Sequence, residues 1–395
     1  MKLKGIKIRL YPNKEQKNVL NKHFGSCRFV YNNALNYKII MYSDYGISTS
    51  KFDIVKQITD VKHQAEFAWL NDIKAECLQN TIDNLDFAFK SFYRGGGYPK
   101  YKSKRNKQSF LSKQNNRILK NTNKLLFYKN KIKFRCSSKD KELIRNNKIK
   151  RVTYSKDKIN NYYASILIEF EPKKLKPIDK EIGIDLGLSH FLITSDGEFI
   201  ENPKLFRKSE YQISKLHKQH SKKKKGSINK EKARLKLAKK YIKISNQRDH
   251  FLHNLSAKLI NENQVISLET LQIKNMIKNR YLSKSIQDAS WSKFITMLTY
   301  KADWTGREIR RVPTFYPSSK TCSNCNNVKD ELKLSERIYT CNICGYSEDR
   351  DINAAINILN KSKENKSRDE LTQSKACGEQ PSRESMKQEE LIKNS

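Results

Sequence analysis

Acidic residues are scarce in this chain. Asp and Glu number 41 against 80 Lys and Arg over 395 residues, a formal net charge of +39. The pI of about 9.8 lies above the value of about 9 at which nucleic acid becomes the default partner. The basic residues run the whole length, so no single tail accounts for them. Each phosphate that such a chain neutralises releases a condensed counterion, so polyanions should bind tightly and with steep salt dependence. Charge alone leaves a plain RNA-coating protein of ribosomal type as the alternative. Long hydrophobic runs are missing too. Without 18 consecutive apolar residues there is no candidate spanning helix, and MKLKGIKIRLYPNKEQ alternates Leu3, Ile6, Ile8 and Leu10 with Lys and Arg, a strand rather than a signal peptide. A disulfide-type cysteine pattern is also lacking. Of eight cysteines, Cys27, Cys77, Cys136 and Cys377 stand singly and the other four are tightly patterned, which argues against a disulfide framework and points to a soluble protein in a reducing, intracellular compartment. Hydrophobic content of 37% and aromatic content of 10% are low but globular, and the length suggests two or three domains.

The texture changes along the chain. In YPNKEQ, Asn13 with Gln16 forms a capping box, after which Val19, Leu20, Phe24, Cys27, Val30, Tyr31, Ala34 and Leu35 recur at helical spacing. A second helix stacks Ile82, Leu85, Phe89 and Phe92 on one face and ends at Gly95. Beyond it, Tyr93, Tyr98, Tyr101 and Phe110 interleave with Arg94, Lys100, Lys102, Lys104 and Arg105. Rings and cations so mixed hold nucleic-acid backbone and unstacked bases; a solvated loop is the plainer alternative. Residues 124–170 turn strand-like, a small antiparallel sheet or barrel that the first strand could join. Two prolines in EPKKLKPIDKE set a domain boundary near residue 177. Residues 216–263 read as a basic helical hairpin broken at Gly226 and Ser227, with Leu235, Ala238 and Ile242 in its buried stripe. The charged, unpatterned residues 361–395 read as a disordered tail.

One cluster breaks the basic pattern. In CGYSEDRDINAAINILN, Glu348, Asp349 and Asp351 fall within four positions. Just upstream, Cys322-x2-Cys325 and Cys341-x2-Cys344 are separated by fifteen residues, the spacing at which two turns offer four thiolates to one tetrahedral zinc. Four protein ligands leave no open position, so such a zinc is structural. Two further carboxylates stand in strands. EIGIDLGLSH alternates Ile182, Ile184, Leu186 and Leu188 with Gly183, Asp185, Gly187 and Ser189, which sets Asp185 opposite the apolar face, between glycines that admit a close neighbour. NQVISLET makes a short buried strand from Val265, Ile266 and Leu268 that ends at Glu269. In DINAAINILN, Ile352, Ala355, Ile356 and Leu359 lie at helical spacing, so Asp351 sits at the N-cap. Taken singly, each acid has an ordinary structural explanation. Together, three such carboxylates would repel unless divalent cations sat between them, which is how two Mg²⁺ are held for phosphodiester hydrolysis. A His-x-His pair with a tyrosine nucleophile is not found; His217 and His220 lie in the lysine-rich hairpin.

The order GIDLG, basic hairpin, ISLE, PSSKTCSNC, CNICG and DRDINAAINIL resembles the TnpB family, the transposon-encoded RNA-guided DNA endonucleases related to type V CRISPR effectors, over nearly the whole chain to about residue 360. The resemblance implies an α+β multidomain protein. An RNase H-like (RuvC) α/β nuclease domain (178–315 and 348–360) would carry an inserted zinc ribbon (316–347), and a β-barrel wedge domain (1–10 and 111–177) an inserted helical recognition domain (11–110). It implies Asp185, Glu269 and Asp351 as catalytic acids holding two Mg²⁺, and the four patterned cysteines as ligands of one structural Zn. A guide RNA from the transposon end and a double-stranded target DNA would be the partners, with no membrane. The protein would be a monomer or weak dimer in the cytoplasm of a bacterial or archaeal cell, acting at the nucleoid. Nucleic-acid contacts are expected from Arg94, Tyr98, Lys100, Lys102, Lys104 and Arg105, and base-edge contacts from Gln79, Asn80, Thr122 and Asn123. Glu348 and Asp349 are expected to support the site or face solvent, with Arg350 partnering one of them. A nuclease-inactive RNA-guided regulator or a transposition accessory protein is the alternative, which the three intact acids disfavour.

Overall fold

The computed structural model describes residues 1–378 apart from 106, 120, 121 and 334, and side chains of the last helix as far as residue 365. The chain divides into two compact units, Met1–Pro172 and the remainder from Lys173, a few residues before the boundary expected near 177. Among the described residues no helix is long and apolar enough to cross a membrane.

In the first unit the alternating N-terminus forms β1 (Lys2–Tyr11), with Ile6, Ile8 and Leu10 buried and Leu3 exposed. The capping box is present: Gln16 N donates to Asn13 Oδ1 at 2.8 Å and Asn13 N to Gln16 Oε1 at 3.1 Å. It starts α1 (Lys14–Tyr45), which stops where Gly46 turns left-handed. Then follow α2 (Lys51–His63), a 3-10 turn (Ala65–Asp72) and α3 (Ala75–Tyr93). The chain goes on through β2 (Gln108–Ser112), β3 (Arg117–Ile118), β4 (Lys124–Phe127), β5 (Asn130–Arg135), α4 (Ser138–Asn146), β6 (Ile149–Lys156) and β7 (Tyr162–Phe170). All seven strands join one antiparallel sheet in the order β2-β6-β7-β1-β5-β4-β3. As expected, β1 joins the later strands, and it does so in the middle of the ladder, between β5 and β7. The ladder has two ends, β2 and β3, where the sequence left open a closed barrel.

The second unit is a five-stranded mixed sheet. β8 (Glu181–Asp185), β9 (His190–Thr194) and β10 (Phe199–Glu201) are antiparallel; β11 (Val265–Glu269) and β12 (Glu308–Val312) run parallel to β8, in the order β10-β9-β8-β11-β12. The chain turns after Asp185, so the alternation running on to Leu188 does not extend the strand. Between β10 and β11 lies the basic hairpin, α5 (Leu205–Ser221) and α6 (Ile228–Glu262), capped by Ser227. Its buried stripe is Ile213, Leu237 and Ile244, shifted around the helix from the expected Leu235, Ala238 and Ile242, which are only partly covered. α7 (Ile273–Met276), α8 (Ser283–Ala289) and α9 (Trp291–Thr305) follow β11. Ile182, Ile184, Ile266 and Leu268 form one core with Leu252 and Leu259 of α6 and Phe294 and Leu298 of α9. After β12 comes the cysteine-rich segment with its hairpin β13 (Ile338–Thr340) and β14 (Ser347–Asp349), and then α10 (Arg350–Gly378).

α10 covers the other face of the sheet, and Gly183 is what lets it lie close. A β carbon on Gly183 would stand 2.0 Å from the Ala355 carbonyl oxygen and 2.9 Å from the Leu359 β carbon. The helix does not stop near residue 360 but continues to Gly378; residues 379–395 of the expected tail lie outside the described residues. Its fully buried side chains, among the described ones, are Asn353, Ala354, Ala355, Asn357, Ile358 and Ser362, whereas Ile352, Ile356 and Leu359 are half-buried. Because backbone cannot yield as a flexible side chain can, Gly183→Ala is expected to lower the stability of this unit by about 1–3 kcal/mol or more. Thermal denaturation checks this, and a variant as stable as the parent would contradict the packing.

Candidate active site

The carboxyl ends of the parallel strands gather the acids. Leu268 on β11 pairs with Ile184 on β8, so the next residues, Glu269 and Asp185, close neighbouring strands side by side, with the strands about 4.8 Å apart. Alternation puts Gly183, Asp185, Ser267 and Glu269 on one face, and the apolar residues between them face the opposite core. α10 lies on the first of these faces, tied by a 2.6 Å hydrogen bond between the Ser362 and Ser267 hydroxyls. Asp351 stands in the first turn of that helix, near enough for its charge to act on Asp185.

The three acids share one field. Burial pushes the Asp185 carboxyl up to about 7, and the charges of Glu269 and Asp351 add to the rise; the Arg350 guanidinium and the Leu186 N–H oppose it. Burial with two neighbouring negative charges disfavours the ionised form, and a bound cation would favour it. The acids do not converge on a point. Among the described residues, Cys322, Cys325, Cys341 and Cys344 are the only group of three or more metal-ligating side chains whose ligand atoms all fall within 4.8 Å of one another.

Arg350 partners Asp351 itself, not Glu348 or Asp349: its Nε and Nη2 both stand 3.0 Å from Asp351 Oδ1. The cap of α10 is also two residues earlier than expected, at Asp349 and not Asp351. Asp349 Oδ1 accepts from the N–H groups of Asp351 (2.9 Å) and Ile352 (3.2 Å), which leaves the Asp351 carboxylate free of capping duty.

The loop leading to the cysteines is bolted to the same elements. Ser318 Oγ donates to Glu269 Oε1 at 2.6 Å. Asn357 Nδ2 donates to the Ser318 and Thr321 carbonyls, and Asn353 Nδ2 to Thr321 at 2.7 Å, while Asn353 Oδ1 accepts from Ser323 N. Beyond Thr321, Cys322 Sγ lies 3.6 Å from Cys344 Sγ and Cys325 Sγ 3.5 Å from Cys341 Sγ. Four sulfurs about 2.3 Å from one tetrahedral zinc stand about 3.8 Å apart, so this cluster fits the ion with little movement. The N–H groups of Cys344 and Ile343 draw the Cys341 thiol down to about 6, towards the ligating thiolate.

Three sequence families match the chain: one described as "Probable transposase" over residues 165–280, one as "Cas12f1-like, TNB domain" over residues 291–358, and one as "Helix-turn-helix domain" over residues 1–46. A Streptomyces pristinaespiralis protein described as "Putative RNA-guided DNA endonuclease" is 33% identical over 359 residues, 90% of this chain and 88% of its own. The chain belongs to the TnpB family. An Escherichia coli (strain K12) relative, "Putative RNA-guided DNA endonuclease InsQ", is 27% identical over 91% of this chain and 92% of its own length, and "TnpB-like protein L79" of Acanthamoeba polyphaga mimivirus is 27% identical over 89% and 72%. A solved Cas12f1–sgRNA–target DNA complex has a similar fold, with a TM-score of 0.57 at 16% identity over 88% of this chain and 83% of that one. In this TnpB chain the residues matched as a helix-turn-helix are a strand and one unbroken helix, β1 and α1.

The expected nucleic-acid residues lie in the first unit. Arg94, Lys100, Lys104 and Arg105 are exposed. Tyr98 packs edge-on against Phe89 and Phe92 with half its surface open, and Lys102 lays its ammonium 3.6 Å from the centre of the Tyr31 ring. Gln79 and Asn123 face solvent, whereas Asn80 is buried with its amide on the Leu111 carbonyl, and the Thr122 hydroxyl donates to Leu119 O. A cleft of about 410 Å³ brings Lys102 together with Arg28, Lys107, Gln108 and Arg151; Arg28, Gln108 and Arg151 carried no local sequence signal. Ser318, Asn353 and Asn357 were missed as well, although PSSKTC and DINAAIN were themselves conspicuous.

Because Asp185 is favoured neutral in the fold, the penalty for ionising it accumulates from the ordinary carboxylate range upwards and is complete above about 7. Asp185→Asn removes that penalty. In Mg²⁺-free buffer it is expected to raise the unfolding midpoint of the second unit by several degrees more at pH 8 than at pH 5, on the order set by about 1 kcal/mol per 2–4 °C. Thermal scans at the two pH values check this; an equal shift at both would contradict it.

Proposed function

We propose that this chain is a transposon-encoded, RNA-guided, Mg²⁺-dependent DNA endonuclease that hydrolyses target phosphodiesters beside a short motif. One observation carries the reading: Asp185 and Glu269 end adjacent parallel strands in register, and the first turn of α10 adds Asp351 to the same field. Two divalent ions there would activate a water and stabilise the leaving oxygen. The chain's own residues prepare that chemistry. Ser318 holds one oxygen of Glu269, which fixes the carboxylate's rotation. Arg350 offsets part of the charge on Asp351, and Asp349 keeps the helix start fixed.

The names of its relatives support a guide RNA and a DNA target, and the charge of +39 suits both. Base pairing would choose the target, and the protein would read only the motif beside it. Residues 1–10 and 111–177 serve as the wedge and 11–110 as the recognition helices, 178–315 with 348–360 as the nuclease, and 316–347 as a zinc ribbon with one structural Zn. Asp185→Ala is expected to abolish Mg²⁺-dependent cleavage of a plasmid bearing the guide-matched site, a loss of at least about 10³-fold, and to leave copurification of the RNA unchanged. Retained cleavage would refute the site.

A further inference from the structure

β12 ends at Val312, which pairs with Glu269 on β11. Pro313 to Pro317 therefore leave the sheet along the same carboxyl edge that carries the acids. Phe315 in this loop is 94% exposed, the most exposed large hydrophobic side chain among the described residues, and it makes no ring contact with another of them. Its backbone is left-handed, φ +69°, a conformation costly for any residue with a β carbon.

The loop that imposes this is well tied. The Thr270 hydroxyl donates to Val312 O at 2.8 Å, the Thr314 hydroxyl to Thr270 O at 3.4 Å, and Ser318 N to Tyr316 O at 2.8 Å. Ser318 also holds Glu269. One bonded frame thus fixes the acid and turns the ring outward. Burial of apolar surface cannot be the reason for a phenylalanine that contributes none. Arg311, four residues earlier in the chain, is exposed, and Lys361 lies 5.8 Å over the ring of the next residue, Tyr316.

We propose that Phe315 is a stacking platform for an unpaired base of the DNA strand whose phosphodiester enters the acidic edge. This rests on the reading of that edge as a nuclease site. Metal and cations can hold the phosphates, but the bases of a single strand, stripped of their partners, need a surface of their own. Stacking on a ring accepts every base, which suits a site that must cut whatever sequence the guide has selected.

The test measures binding and needs no cleavage. In the full chain with its copurified RNA and Asp185→Ala as background, affinity is measured for a short single-stranded oligodeoxynucleotide and for one of equal length with abasic sugars throughout. Phe315→Ala is expected to weaken the first roughly tenfold and the second not at all, and Phe315→Trp to restore the parent affinity. Unchanged binding of the base-bearing strand, equal weakening of both strands, or a response confined to ribo-oligonucleotides would overturn the proposal. Failure of the nuclease reading shows separately, as a parent protein that binds with this base dependence yet does not cleave.

Discussion

The second unit depends on one close approach. The backbone of α10 lies so near β8 that no β carbon fits at Gly183. With Ser267 as the neighbouring small residue, that approach brings the start of the helix over the ends of two parallel strands. The charges of Asp351 and Glu269 then both reach Asp185, although all three are distant in sequence. Burial pushes the Asp185 carboxyl up to about 7, and the charges of Glu269 and Asp351 add to that rise.

The buried asparagines make the arrangement cooperative. Asn353 and Asn357 sit on the face of α10 that packs inward, and each spends its amide on the carbonyls of the loop before Cys322. A buried amide must find partners or lose on the order of 1–3 kcal/mol, so loop and helix hold each other in place. The cysteine cluster stands at the end of that loop and the Ser318–Glu269 contact at its beginning. Ordering the cysteines and orienting an acid are therefore tasks of one segment.

Much of this was legible in the sequence. Alternation at Ile182 and Ile184 placed Asp185 on the correct face, the cysteine spacing announced the cluster, and the strand ending at Glu269 could be read from three apolar residues. What was not legible depends on tertiary neighbours. Hydropathy cannot tell that Asn353 and Asn357 are buried; of the stripe expected at Ile352, Ala355, Ile356 and Leu359, Ala355 is fully buried and the other three are half-buried. An Asp at a helix start looks like a cap whether or not its neighbour does the capping, and Asp349 took that role. In the hairpin, lysines flank every apolar residue, so the choice of Leu237 and Ile244 over Leu235 and Ile242 is made by packing against α5, which local periodicity does not record.

The central claim is that three distant segments share one metal site. Ferrous iron can replace Mg²⁺; added peroxide oxidises it and yields local hydroxyl radicals that cut the backbone beside the ion, and ascorbate reduces the ferric ion back. Mapping those cuts in the full chain with its RNA tests the claim directly. Cuts are expected near residues 185, 269 and 351 together, suppressed by excess Mg²⁺ and lost jointly in Glu269→Gln. Cuts at only one of the three segments, or none, would contradict it.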